Sequence, residues 1–228
     1  MRILIVIPAY NEQENIERVV DDLIQNYPQY DYLVVNDGSK DRTAAICREK
    51  GYHFLDLPVN LGLAGAFQAG LRYADRMDYD MAIQFDGDGQ HDPQYIEAMA
   101  AKMEEEALDV VIGSRFRDKK KPLSLRMMGN QMIQLAIQIT TGVTIKDPTS
   151  GMRMFNRSMI REFAHNLNYG PEPDTVSFLI KQGARVAELQ VTIDERTEGE
   201  SYLKPLTAVH YMARMLISIL MIQNFRKR

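Results

Sequence analysis

The chain has 228 residues, 45% hydrophobic and 25% charged, with a formal net charge of -4 at pH 7 and a single cysteine. That length supports one large domain or two small ones with a real core, and the acidic balance excludes a nucleic-acid binder that works through a basic face. One cysteine, Cys47, excludes an internal disulfide and suits a reducing compartment, and no uncharged apolar stretch of about 18 residues exists to span a bilayer.

The opening "MRILIVIPAYNE" carries an apolar run too short for a signal peptide, and "RILIVI" reads as a buried strand. Ile16, Val19, Val20, Leu23 and Ile24 then form the stripe of an amphipathic helix, with Asn11 and Glu14 as a capping-box-like start. "YLVVND" is the next strand, and Asp41 is placed to cap a helix over "RTAAICREKG" that Gly51 ends. "HFLDLPV", a helix over 64–76, "MAIQFD", a helix over 93–106 and "DVVIG" continue the alternation. Such alternation predicts an α/β, Rossmann-like, doubly wound and mostly parallel sheet, whose ligands bind beyond the carboxyl ends of the strands. After Arg117 come a basic loop, "DKKKPLS", and a Met-rich helix, "LRMMGNQMIQLAIQITTG". A returning strand at "DPTSGMRMF", a helix at "TVSFLIKQG" and a strand at "RVAELQVTI" follow.

The loops beyond the strand ends are "PAYNE", "NDGS", "DGDGQHD" and "GSRFR", all polar, charged or glycine-bearing. The third crowds Asp86, Asp88 and Asp92 together with Gln90 and His91, and like charges so close call for a cation. Carboxylate oxygens and an amide carbonyl are hard ligands suited to magnesium or manganese, with substrate phosphates completing the shell, so Asp86, Asp88 and Gln90 are the candidate metal ligands. Asp92, before Pro93, reads as a helix N-cap, and His91 as a structural neighbour, since zinc would require more His or Cys nearby. A calcium loop is disfavoured: His91 stands where the sharp turn needs glycine, Pro93 interrupts the loop, and a strand precedes it.

This DxD-type pair at a strand end, with "PAYNE" and "NDGS" on neighbouring strands, resembles family-2 glycosyltransferases of the GT-A fold over about residues 1–160. The resemblance implies that Pro8, Ala9, Tyr10, Glu12 and Asp37 contact the nucleotide, with Asn60 and Gly62 close by. It implies that Asp86 sits near the ribose and metal, and that Asp88 and Gln90 hold Mg2+ or Mn2+ on the donor diphosphate. "GSR" followed by "DPTSGMRMF" is similar to the branch that makes polyprenyl-phosphate sugars. By that likeness Arg115 and Arg153 bind acceptor phosphate or donor diphosphate, and Lys119, Lys120 and Lys121 belong to a mobile acceptor loop. The branch's "RxxGxSK" arrangement reads "RTEGESYLK" here: Arg196, Gly199 and Ser201 fit, Tyr202 occupies the lysine position, and Lys204 follows two later.

A phosphate monoester is mostly dianionic at neutral pH, its second pKa being about 6, so it attacks the anomeric carbon without a general base. The expected activity is inverting transfer of a hexose from a nucleotide diphosphate sugar, UDP-glucose or UDP-N-acetylglucosamine ahead of GDP-mannose, to polyprenyl phosphate. One rival uses a sugar hydroxyl acceptor in polysaccharide synthesis and needs a base, with Asp147, Glu172 and Asp174 as candidates. The other is a catalytically silent nucleotide-sugar-binding scaffold.

From Leu206 on, His210, Arg214 and Ser218 form a narrow polar stripe on an otherwise apolar helix, too short in its uncharged part to cross a bilayer. The expected organisation is a GT-A domain over 1–204 and an amphipathic helix over 205–228. The helix is expected to meet a membrane surface, a small membrane protein partner or a second copy, placing the protein at the cytoplasmic face of a membrane. Packing on its own domain is the alternative.

Overall fold

The computed structural model describes residues 1–222 except 88, 123, 167–169, 171 and 193–204; the side chains of 125, 126 and 205–209 and residues 223–228 also lie outside the description. In chain order the elements are β1 (Ile3–Ala9), α1 (Ile16–Asn26), β2 (Asp31–Asn36), α2 (Thr43–Glu49), β3 (Phe54–Asp56), α3 (Gly62–Arg76), β4 (Met81–Gln84) and α4 (Tyr95–Glu105). They continue with β5 (Val110–Ser114), α5 (Leu125–Thr141), β6 (Arg153–Asn156), α6 (Arg157–His165), α7 (Pro173–Lys181), β7 (Val186–Gln190) and α8 (Pro205–Leu220).

The strands form one sheet in the order β3-β2-β1-β4-β6-β5-β7. All neighbours are parallel except β6, which runs antiparallel to both β4 and β5. β1 is buried on both faces, which is why it reads as an unbroken apolar run. Its alternate side chains sort into two cores: Leu4 and Val6 face α3, α5, α6, α7 and α8, while Ile3, Ile5 and Ile7 face α1 and α4. The chain winds outward from β1 through β2 to β3 and then returns to the other side of β1 as β4, so the topological switch lies between β1 and β4. The carboxyl ends of β1, β2, β4 and β5 share one rim. Because β6 is reversed, its amino end, with Arg153, arrives at that same rim.

Local starts differ from expectation in one instructive place. Asn11 does not cap α1: it takes a left-handed φ of 57°, and its side-chain oxygen accepts a hydrogen bond from the Lys40 backbone at 2.9 Å. The first turn instead hangs from the Glu12 carbonyl, which accepts from the Asn15 and Ile16 amides at 3.0 and 2.9 Å. Asp41 does serve the start of α2, accepting from the Thr43 amide at 2.9 Å. Asp92 likewise accepts from the Gln94 amide at 2.9 Å, ahead of α4.

α8 packs on α5 and α7, with Met215 and Ile219 inside the core. Gly129 on α5 makes the approach possible, since a Cβ there would lie 1.5 Å from the Met212 sulfur. The polar stripe of α8 divides. His210 and Arg214 are exposed, whereas Ser218 is buried and donates to an Asp174 carboxylate oxygen at 2.6 Å.

Candidate active site at the strand ends

The β1 and β2 loops are stitched together by short polar side chains. The Asp37 amide donates to the Ala9 carbonyl at 2.8 Å, the Glu12 amide to the Thr43 hydroxyl at 2.9 Å, and the Asn11 amide to the Ser39 hydroxyl at 3.0 Å. Asp37 is buried, and its carboxylate accepts from the Leu61 amide at 2.7 Å, drawing in the segment that holds Asn60. Gly38 takes a φ of 64° so that the turn passes under residues 59–60. Asn60 accepts from the Gly62 amide at 3.1 Å, and α3 begins there. Pro8, Ala9, Tyr10, Glu12, Asp37, Asn60 and Gly62 are therefore gathered around the carboxyl ends of β1 and β2 and the start of α3; Tyr10 and Pro8 are half-buried.

The acidic loop leaves β4 on the opposite side of the switch. His91 is 5% exposed; its Nδ1 accepts the Asp86 amide at 3.0 Å, and its Nε2 lies 3.5 Å from an Asp86 carboxylate oxygen. With Nδ1 accepting, the ring proton of the neutral imidazole sits on Nε2, facing that carboxylate. The Phe85 ring meets His91 edge-on at 5.4 Å and fixes its plane. Across the crevice, Gly151 is the floor against which Asp86 rests: a Cβ on Gly151 would lie 2.7 Å from the Asp86 Oδ2 and 3.3 Å from the His91 ring. At Gly87, by contrast, a Cβ would meet the Pro8 carbonyl and the Glu12 side chain only at ordinary contact distances of 3.4 and 3.6 Å.

Arg153 begins β6 in register with Gln84 and projects onto the same face as Gln84 and Asp86. It is 3% exposed and donates through one terminal nitrogen to the Pro148 carbonyl at 2.7 Å, while its Nε has no partner among the described residues. Burial pushes its pKa down, and the charges of Glu172, Asp147 and Asp86 work against that fall, so the cation persists in a low-dielectric setting.

Arg115 has a carboxylate partner within the chain. Its fork is bidentate to the fully buried Asp147, Nε at 2.7 Å and NH2 at 2.8 Å, and its amide adds a third bond at 3.0 Å. Asn130 donates to the same carboxylate at 3.1 Å, and Glu188 accepts the amides of Lys146 and Asp147 at 2.8 and 2.7 Å. This clasp ties the end of β5 to the 147–153 loop through a charge-assisted, two-pronged contact. The three loop lysines also separate. Lys121 is half-buried and donates to Asn130 at 2.5 Å and to Gln134 at 2.7 Å, with burial lowering its pKa, while Lys119 and Lys120 are exposed.

Asp88, Arg196 and Lys204 lie outside the described residues, as do Gly199, Ser201 and Tyr202. Among the described residues no three His, Cys, Asp or Glu cluster as a ready-made metal site. Asp86 and Gln90 nevertheless supply hard oxygen donors, and the glycine cradle leaves the Asp86 carboxylate room on its open side. These residues fit a divalent ion whose shell is completed by phosphate oxygens, the manner that suits magnesium. His91, read from the sequence as a structural neighbour, supports Asp86 here, while sequence reasoning missed Gly151 as the other support. The signal was present for Gly151 in the "SGMR" run, but its partner lies 65 positions away, the difference between 151 and 86.

A crevice at the switch point of a mostly parallel sheet, bordered by an acidic loop and a buried arginine on a reversed strand, defines the GT-A class of glycosyltransferase fold. The chain belongs to glycosyl transferase family 2, whose family model matches residues 4–163. It is 30% identical over 214 residues to the undecaprenyl-phosphate mannosyltransferase of Micrococcus luteus, covering 88% of this chain and 87% of that one. It is also 30% identical over 186 residues to the UDP-N-acetylglucosamine–dolichyl-phosphate N-acetylglucosaminyltransferase of Methanococcus voltae, covering 72% and 73%. Among solved structures, glucosyl-3-phosphoglycerate synthase from Mycobacterium tuberculosis, in complex with Mn2+, UDP and glucosyl-3-phosphoglycerate, superposes with a TM-score of 0.72. At 18% identity, covering 100% of this chain and 81% of that one, it shares the fold.

Proposed function

We propose that this protein transfers a hexosyl residue from a nucleotide diphosphate sugar to polyprenyl phosphate, with inversion at the anomeric carbon. The observation that carries the reading is the meeting of Asp86, Gly151 and Arg153 at one rim, which joins the acidic loop to the "DPTSGMR" segment. The relatives' names supply the acceptor class. The donor is a uridine diphosphate hexose, glucose or N-acetylglucosamine. The Methanococcus voltae name and the UDP held by the structural neighbour support it. A mannose donor is the second reading, favoured by the Micrococcus luteus name.

In this mechanism the β1 and β2 loops seat the nucleotide through Pro8, Ala9, Tyr10, Glu12 and Asp37, beside Asn60 and Gly62. Asp86, Asp88 and Gln90 would hold Mg2+ or Mn2+, which when bound neutralises charge on the departing diphosphate. His91 holds Asp86 in the orientation this requires. Arg153, desolvated and charged, attracts phosphate far more strongly than an exposed arginine would. Arg115 acts through Asp147, keeping the 147–153 loop in place, and Arg196 and Lys204 complete the phosphate surroundings. The acceptor phosphate is its own nucleophile, so no base is assigned. This agrees with the carboxylates that the hydroxyl-acceptor rival would need: Asp147 is saturated by Arg115 and Asn130, Glu172 accepts from the Tyr211 hydroxyl, and Asp174 accepts from Ser218.

A lipid acceptor places the reaction at a membrane surface, and we take the cytoplasmic face as the site. No helix among the described residues is long and apolar enough to cross a membrane. Two helices instead offer an apolar exterior: Met128, Met132, Leu135 and Ile139 of α5 and Ile217 and Leu220 of α8, continued by Met221 and Ile222, are all exposed. Such a face lies in an interface or against a membrane protein partner or second copy.

The test is incubation with labelled nucleotide sugars and polyprenyl phosphate. The expected result is a lipid-linked sugar, lost on chelation and restored by Mn2+. Transfer to sugar hydroxyls alone, or nucleotide binding without turnover, would select the transferase rival or the scaffold, and undiminished synthesis under chelation would remove the metal.

A further inference from the structure

The acidic loop after β4 is faced by a cation of the chain itself. Arg18 stands in the first turn of α1, the helix that follows the β1 loop, and its side chain is exposed. A Cβ built on Gly89 would lie 2.3 Å from one terminal nitrogen of Arg18 and 2.8 Å from the other, so the guanidinium lies directly against the Gly89 backbone. Gly89 has a φ of 76°, a conformation that glycine adopts freely, and the loop thereby turns its backbone rather than a side chain toward Arg18. Asp86, Asp88 and Asp92 lie within three positions of Gly89 along the chain.

We propose that Arg18 is the resident counter-charge of this loop and that a divalent ion binds there in competition with it. The inference rests on the metal reading above and goes beyond it by naming the residue that opposes the ion. Without metal, Arg18 offsets the repulsion among the aspartates. On binding, the exposed side chain swings away into solvent. When the metal-bound nucleotide leaves, Arg18 returns, so the site exchanges one cation for another instead of passing through an uncompensated state.

Mn2+ binding, followed by the loss of the free-ion electron paramagnetic resonance signal, tests this without reference to turnover. Wild type, Arg18→Met and Arg18→Lys are titrated with and without UDP at low ionic strength, thermal melting serving as the control for folding. Arg18→Met should bind Mn2+ roughly fivefold more tightly, the effect of no longer having to break one pairing between unit charges in a largely aqueous setting. Arg18→Lys, which keeps the charge and loses the planar shape, should stay within about twofold of wild type, and the Met effect should shrink as salt screens it. Equal or weaker binding by Arg18→Met would overturn the competition and leave the metal reading standing. Absence of Mn2+ binding in all three proteins, even with UDP, would overturn both.

Discussion

Gly151 shows how much a single side chain, or its absence, decides here. The carboxylate of Asp86 occupies the space that a methyl group on residue 151 would fill, at 2.7 Å from its Oδ2. Gly151→Ala should therefore leave the core intact and displace Asp86, lowering transfer roughly 100-fold, since misplacing a reacting group by about 1 Å has that effect. Steady-state kinetics beside an unchanged far-ultraviolet spectrum is the measurement; wild-type turnover would show that Asp86 placement is not limiting. Residue-scale legibility was uneven. The acidic loop, "PAYNE" and "NDGS" announced themselves because several unusual polar residues occupy one strand end each. Arg115 did not, because "GSR" carries no sign of whether a fork meets a ligand or a carboxylate 32 positions on. Its partner, Asp147, opens a turn whose Ser150 amide donates to its carbonyl at 3.1 Å, and it is fully buried and organises the end of β5.

The elements were readable wherever period and burial agree. β1 and α1 follow directly from an apolar run and a helical stripe, and their side chains bury as that pattern requires. The start of α1 shows the limit. The local signal at Asn11 was outweighed by a hydrogen bond to the Lys40 amide, a tertiary partner no window of sequence contains. α8 is the larger case, because an amphipathic helix specifies a face to bury and not the surface that buries it. Here the face meets α5 and α7, and Ser218 reaches the buried Asp174. Ser218→Ala removes a donor from a carboxylate that has lost its water, which should cost about 1–3 kcal/mol, read as a lower urea midpoint. A change within about 0.5 kcal/mol, as expected at a surface position, would mean that α8 is not seated this way in solution.

At the scale of the whole molecule, the proposed function assigns the chemistry to one rim and membrane contact to one flank. The flank is the exposed apolar surface of α5 and α8, and a protein that uses it on lipid should float with anionic vesicles. Leu135→Glu with Ile139→Glu should abolish flotation and lower transfer to lipid-embedded acceptor while sparing transfer to a short, water-soluble polyprenyl phosphate. Equal flotation would assign the flank to a protein partner or a second copy. The amino-acid order by itself determined the α/β alternation, the parallel core and the polar character of each loop beyond a strand, because these rest on contacts and propensities within a few neighbouring residues. Only the tertiary structure decided that β6 enters reversed between β4 and β5, that Arg153 is thereby buried beside Asp86, and that Arg115 pairs with Asp147. Those outcomes rest on pairings across tens of residues, whose energies depend on which surfaces are left to be covered once the local elements have formed.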